Sequence, residues 1–317
     1  MTLLDRDVIA VSDLSDDEIQ ALLRLAREFA GPEGRPTPRN ELADRIVACL
    51  FFEPSTRTRL SFESAAHRLG ARVIGFSSPA ATSFAKGETL SDTIRTVSHY
   101  ADLIVLRHPK DGSARLAAEL SEVPVVNAGD GSHSHPTQSL VDFFTIGDER
   151  GTTTNNNVVL LGDLRFGRTT HSLATLLSRF GNKVTCVSPP GLEMPEGVIE
   201  ECARHGRRPD QTNDLVGALA DADVLYVTRI QKERFADPAE YLKYAGSYRI
   251  DDDILRHAEA DLTILHPLPR VGEIDHAVDR RPGAAWFRQA RNGVPVRMAL
   301  LTSILKETPQ ILTEATR

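Results

Sequence analysis

Apolar residues come in two rhythms along this chain. Short unbroken runs such as "RIVACLFF" (45–52), "DLIVLRHP" (102–109), "KVTCVS" (183–188), "ADVLYVTRIQ" (222–231) and "DLTILHPLPR" (261–270) read as strands buried on both faces. The segments "ARVIGF" (71–76) and "VVLLGDLRFGR" (158–168) read the same way, as does the start of "VPVVNAGDGSHSHPTQ" (123–138). Between them apolar residues recur at helical spacing. "SDLSDDEIQALLRLAREFA" (12–30) opens with Ser15 and Glu18 at capping-box spacing, and Ile19, Leu22, Leu23 and Ala26 form one face. Further helices are expected over 89–101, 139–150, 170–181, 195–206 and 294–307. Strands alternating with helices argue parallel sheets covered on both faces. A polar break, "GTTTNNN" (151–157), divides the pattern into two α/β domains of similar size.

One strand exit stands out. In "FFEPSTRTRLSFE" (51–63) the apolar run ends at Phe52, and Ser55, Thr56, Arg57, Thr58 and Arg59 follow almost together. Leu60, Phe62, Ala65, Ala66 and Leu69 then recur at helical spacing, and Gly70 closes the segment. The first turn of a helix has unpaired N–H groups and the positive end of the macrodipole. Hydroxyls and guanidinium forks added there suit a phosphate-like anion. An N-cap with solvated arginines explains the same stretch read alone.

Ligands in open parallel sheets bind beyond the carboxyl ends of strands. Five polar clusters fall at such ends: "EPSTRT", "LRHP", "GDGSHSHPTQ", "TRIQKE" and "LHPLPR". A sixth, "GDLRFGRTTHS", lies in a strand-to-helix turn. It lacks the G-x-G-x-x-G spacing of a dinucleotide site, and "AKGET" lacks the upstream residues of a Walker loop. His133 and His135 could present two imidazoles on one strand face, but no cysteine or acidic set accompanies them, so no metal is expected.

Composition changes this picture little. The 317 residues suffice for two cores, and the net charge of −7, with no long basic stripe, argues against nucleic acid as partner. A few arginines can still make one cleft positive. Three cysteines without CxxC spacing read as buried thiols in a reducing compartment. No segment approaches eighteen uncharged apolar residues and the first residues carry charge throughout, so a cytoplasmic protein without membrane contact is expected.

Taken in order, "FEPSTRTRLSFE", "KGETLSDT", "LRHP", "HPTQSLVD", "GDLRFGRTTHSL", "TRIQKERF" and "LHPLPR" closely resemble the aspartate carbamoyltransferases. The resemblance runs from about Asp5 to the last helix. The STRT, HPTQ and HPLP elements indicate the wider carbamoyltransferase family, whereas Arg168–His171 and Arg229–Glu233 point to aspartate. The chain also has "LHPLP" where ornithine enzymes carry a cysteine.

The resemblance implies an α/β fold of two parallel-sheet domains. Residues 1–149 would bind carbamoyl phosphate, completed by a helix at 287–317 packing back on the N-terminal domain, and residues 150–286 would bind aspartate. It implies transfer of a carbamoyl group to the α-amine of L-aspartate, as in de novo pyrimidine synthesis, without a cofactor. Ser55, Thr56, Arg57 and Thr58 would bind the phosphate, with Arg57 also stabilising charge as the C–O bond breaks. Arg107, His135 and Thr58 would serve the carbonyl oxygen. Gln138, with the Leu268 and Pro269 region, would hold the carbamoyl nitrogen. Arg168, Arg229 and Gln231 would receive the two carboxylates of aspartate, oriented by Glu53 and Glu233.

Ser83 and Lys86 match residues that reach into a neighbouring subunit's site, Ser83 toward carbamoyl phosphate and the catalytic Lys86 toward both substrates, which implies a homotrimer with shared sites. Some members have a second lysine where this chain has Ala85. The resemblance also allows a regulatory chain or a dihydroorotase partner, which no residue here decides. Read singly, Arg107 is equally a solvated strand-end residue, His135 a turn residue, Glu53 and Glu233 surface partners, and Lys86 part of a mobile loop. Other readings are a transferase for another amine, a catalytically silent paralogue and, more remotely, a dehydrogenase.

Overall fold

The computed structural model describes residues 3–306 apart from Ala236 and Ala245, and leaves the side chains of Glu33, Ala81, Glu233 and Pro238 undescribed. The chain forms two compact units, one running up to Gly131 and resuming at Gly293, the other spanning Ser132–Asn292. In the first, α1 (Asp16–Ala30), β1 (Ile46–Phe51), α2 (Thr56–Arg68), β2 (Arg72–Phe76), α3 (Leu90–Ser98), β3 (Leu103–His108), α4 (Ser113–Leu120) and β4 (Val125–Asp130) follow in turn. The sheet is parallel, in the order β2-β1-β3-β4. Leu103, Ile104, Val105 and Leu106 of β3 have no exposed surface, as a strand covered on both faces requires. Helix α1 begins as its sequence indicates: the Ser15 hydroxyl accepts the Glu18 N–H at 3.3 Å and the Glu18 carboxylate accepts the Ser15 N–H at 2.8 Å.

The second unit begins with α5 (Pro136–Arg150) and β5 (Asn157–Leu161), then α6 (Arg168–Arg179) and β6 (Lys183–Val187). It continues through α7 (Glu196–His205), β7 (Asp210–Thr212), α8 (Leu215–Leu219), β8 (Val224–Val227), α9 (Pro238–Tyr244), α10 (Asp252–Leu255) and β9 (Thr263–Leu265). Its sheet is also parallel, in the order β7-β6-β5-β8-β9. The last described helix, α11 (Trp286–Leu305), starts in this unit and from Gly293 belongs to the first. There the Arg297 guanidinium lies 4.9 Å from the Phe62 ring of α2, and the Asp5 N–H donates to the Ile304 carbonyl at 3.1 Å. Packing of the last helix onto the N-terminal unit is thus as expected, while residues 307–317 lie outside those described. No described helix is long and apolar enough to cross a membrane.

Several boundaries differ from the sequence pattern. Helix α5 starts at Pro136 rather than Ser139, because proline's fixed φ and missing N–H suit the first helical position. Helix α11 starts eight residues before the expected Val294 and carries Pro295 in its interior. Proline cannot donate to the Arg291 carbonyl one turn back, yet the helix continues through it, and the Arg297 guanidinium donates to the Gly293 carbonyl at 3.1 Å. Strands β5, β8 and β9 are shorter than their apolar runs, since each run continues into the loop beyond the sheet. Strand β7 and helices α8 to α10 have no counterpart in the pattern. Cys49, Cys186 and Cys202 are buried free thiols, and burial above all pushes Cys49 and Cys186 up to about 12.

Beyond β9 one hydrogen-bonded pair fixes the chain. Buried His266 accepts the Leu268 N–H on Nδ1 at 2.7 Å, which leaves Nε2–H to donate to Glu273 at 2.6 Å. Glu273 also accepts the N–H groups of Val271 and Gly272 at 3.1 and 3.0 Å. Burial alone would push this carboxyl up, but the hydrogen bond from His266 and the backbone donors outweigh it, holding Glu273 at about 2 against an ordinary 4.5. A depressed folded-state value stabilises the fold above the unfolded value and is lost as pH falls from about 4.5 to about 2. Glu273→Gln should therefore be less stable than the parent at pH 7 by roughly 2 kcal/mol, with a gap that narrows below pH 4.5. Urea unfolding at pH 7 and pH 3 measures it, and an equal gap at both would contradict the assignment.

Candidate active site

Both sheets reverse their strand order at one place: between β1 and β3 in the first, and between β5 and β8 in the second. Loops leaving such neighbours part to opposite sides and open a crevice at the carboxyl edge. The polar clusters occupy those positions. STRT follows β1, Arg107 and His108 close β3, GDLRFGR follows β5 and TRIQ follows β8.

In the first unit, Ser55 is the N-cap of α2 and makes no side-chain cap bond, so its hydroxyl does not close the helix end on itself. Thr56 and Arg57 are exposed in the first turn and Thr58 is buried. The β1–β3 register pairs Phe51 with Arg107, and the Phe52 N–H donates to the Arg107 carbonyl at 2.8 Å. This sets Arg107 beside the exit into STRT. Its guanidinium is buried, donating to the Ala128 carbonyl at 3.2 Å and to Glu53 at 3.4 Å. Glu53 thus orients Arg107, and its expected pairing with the aspartate-binding arginines stays with the sequence. The expected small-residue loop contains two single 3-10 turns, Pro79–Ala81 and Ser83–Lys86. Phe84 of the second packs edge-on against Phe52, ring centres 5.3 Å apart, while Ser83 and Lys86 are exposed.

In the second unit, buried His135 is the N-cap residue of α5, and its N–H donates to the Ser172 hydroxyl of α6 at 3.3 Å. Gln138 stands in the first turn of α5 and donates to Asp142 at 2.7 Å. Buried Arg168 is the first residue of α6, while Arg229 is half-buried just beyond β8. Between them Gly162 has φ +126°, and a Cβ there would lie 2.1 Å from the Thr228 carbonyl oxygen, so only glycine lets the two loops approach this closely. Asp163 accepts the Gln231 N–H at 3.3 Å and the Phe166 N–H at 3.0 Å, and the Gln231 side chain donates to the Phe166 carbonyl at 3.1 Å. Burial pushes Asp163 up, against the N–H groups of Phe166, Gln231 and Arg165 and the Arg165 charge that lower it. His171 donates its Nε2–H to the Leu164 carbonyl, 2.7 Å away, and burial lowers its pKa. The Leu268–Pro269 bond, at the end of β9, is cis.

Sequence reasoning found every arginine here but passed over Asp163, Ser172 and Asp142. Asp163 had a visible signal, a lone carboxylate directly after a strand-ending glycine. Ser172 and Asp142 sit among helical residues and had none. The side chain of Glu233 lies outside those described, so its expected role stays with the sequence.

The chain matches two family models, Aspartate/ornithine carbamoyltransferase, carbamoyl-P binding domain, over residues 6–148, and Aspartate/ornithine carbamoyltransferase, Asp/Orn binding domain, over residues 154–304. It is 53% identical over 296 residues to the aspartate carbamoyltransferase catalytic subunit of Thermococcus onnurineus, covering 93% of this chain and 96% of that one. Identity to the corresponding subunit of Methanopyrus kandleri is 53% over 302 residues, covering 95% and 97%. Among solved structures, aspartate transcarbamoylase from Trypanosoma cruzi in complex with carbamoyl phosphate and aspartate aligns with a TM-score of 0.90 at 40% identity, covering 96% of this chain and 98% of that one. The catalytic subunit of M. jannaschii aspartate transcarbamoylase aligns with a TM-score of 0.85 at 46% identity, covering 94% and 97%. With both of its units accounted for in sequence and in fold, the chain belongs to the family of aspartate carbamoyltransferase catalytic subunits.

Proposed function

We propose that the chain transfers the carbamoyl group of carbamoyl phosphate to the α-amine of L-aspartate, releasing phosphate and N-carbamoyl-L-aspartate. The observation that carries this reading is the content of the two switch points. One bears a helix start rich in hydroxyls beside a buried arginine, suited to an acyl phosphate, and the other bears two arginines, suited to a dicarboxylate. The carbamoyl phosphate and aspartate bound in the Trypanosoma cruzi structure support it.

Ser55, Thr56, Arg57 and Thr58 bind the phosphate through hydroxyls, the helix N–H groups and the Arg57 guanidinium. Thr58, Arg107 and His135 donate to the carbonyl oxygen as negative charge develops there. His135 is a donor in this scheme, not a base. Gln138 and the Leu268–Pro269 segment hold the carbamoyl nitrogen. Arg168 and Arg229 take the α- and β-carboxylates with Gln231 adding a donor, and the departing phosphate accepts the amine proton. Catalysis is then positioning and fixed positive charge. Ornithine would bring an ammonium group toward Arg229, a like-charge contact that disfavours it.

In this reading residues 1–149 serve carbamoyl phosphate and 150–286 serve aspartate. Ser83 and Lys86, exposed on their short turn, serve the site of a neighbouring copy within a homotrimer. The enzyme works in the cytoplasm, in pyrimidine synthesis, and a regulatory chain is a further partner that family members allow.

The purified chain should form product with aspartate and none with ornithine at equal carbamoyl phosphate, and Arg229→Ala should weaken aspartate use about a hundredfold. Transfer to ornithine, or aspartate kinetics untouched by the substitution, would overturn the acceptor assignment. Mixing inactive Lys86→Ala and Arg57→Ala chains should restore activity, since some sites in mixed trimers escape both changes. Mixed trimers that stay inactive would rule out shared sites.

A further inference from the structure

Asp142 has no exposed surface, and it stands one helical turn after Gln138 on α5. A carboxylate this deep must be surrounded by donors. Oδ1 accepts from Gln138 Nε2 and from Gln289 Nε2 of α11, each at 2.7 Å, and Oδ2 accepts the Tyr226 hydroxyl of β8 at 2.9 Å. Burial, then the charge of Asp142, pushes the Tyr226 hydroxyl well above the ordinary phenol value, so it keeps its proton and donates.

An ionised carboxylate only accepts, so each glutamine must turn its NH2 group toward Asp142 and its carbonyl oxygen away. Gln289 checks this orientation independently, because its Oε1 accepts the His266 N–H at 2.9 Å. The His266 ring in turn holds the Leu268 N–H at 2.7 Å. One carboxylate therefore dictates the polarity of the Gln138 amide and, through Gln289 and His266, secures the segment carrying Leu268.

We propose that Asp142 is a positioning residue for the carbamoyl group, locking Gln138 so that its Oε1 accepts from the carbamoyl NH2. The proposal rests on the assignment of Gln138 and Leu268 to the carbamoyl nitrogen. It gives Asp142 a part in telling carbamoyl phosphate from acyl phosphates that lack the NH2 group. Acetyl phosphate is the matching probe, with the same phosphate and carbonyl and a methyl group in place of the amine.

Asp142→Asn keeps the shape but adds a donor, which frees a glutamine to turn over. It should raise the KM for carbamoyl phosphate about tenfold. The inhibition constant of acetyl phosphate should change by less than about twofold, and Asp142→Asn should add little to Gln138→Ala in the double variant. Equal weakening of both acyl phosphates would reduce Asp142 to a structural residue and overturn the proposal, as would losses that multiply in the double variant. Should Gln138→Ala leave the carbamoyl phosphate KM unchanged, the Gln138 assignment falls and takes the proposal with it. Should Gln138→Ala raise it while Asp142→Asn does not, the proposal falls alone. A neutron diffraction map of the unsubstituted protein needs no variant. Deuterium on the Gln138 atom facing Asp142 supports the lock, and an oxygen there overturns it.

Discussion

Parallel alignment is the constraint on which the rest depends. Because all strands of a sheet run the same way, every loop that leaves a strand toward its helix emerges on one edge. A strand order that reverses once within each sheet then selects two neighbouring loops per unit from that edge. In each unit the arginines and hydroxyls of the polar clusters are where they are because two strands end there, β1 and β3 in the first and β5 and β8 in the second. Register sharpens the placement: pairing Phe51 with Arg107 fixes where a buried guanidinium lies relative to the start of α2.

Burying charge at these edges needs compensation, and the chain supplies it locally. Arg107 is held by a carbonyl and by Glu53, Asp163 by backbone N–H groups, and Asp142 by two amides and a phenol. Each arrangement restricts a side chain to one orientation before any ligand arrives. Such pre-organisation is what a reaction driven by fixed charge demands, since donors that must first reorient lose part of their stabilising effect.

Much of the fold was legible because buried parallel strands are short apolar runs and helices such as α1 announce their caps. Strand β7 was not, being three residues of the polar sequence Asp-Gln-Thr. The early start of α5 and the course of α11 were hidden by prolines that read as breaks, although position 136 suits proline and α11 runs on through Pro295. In the site, residues contiguous in motifs were readable: Ser55 to Thr58, Arg107, His135, Gln138, Arg168 and Arg229. The set around Asp142 was not, because Tyr226 and Gln289 lie 84 and 147 positions away, Tyr226 inside an apolar strand and Gln289 among other polar residues of α11. Such a set exists only once the strands are paired.

The path of α11 bears on how the molecule is made. The first unit contains the stretch from Gly293, whose Arg297 stacks on Phe62 and whose Ile304 carbonyl receives the Asp5 N–H. As the chain emerges from the ribosome, the sheet of β1 to β4 is present long before this helical lid for α2 exists. The Ser132–Asn292 unit is synthesised in full during that interval. The segment encoded first is therefore among the last to be finished, and a nascent chain stalled before residue 293 would hold Phe62 without its guanidinium partner.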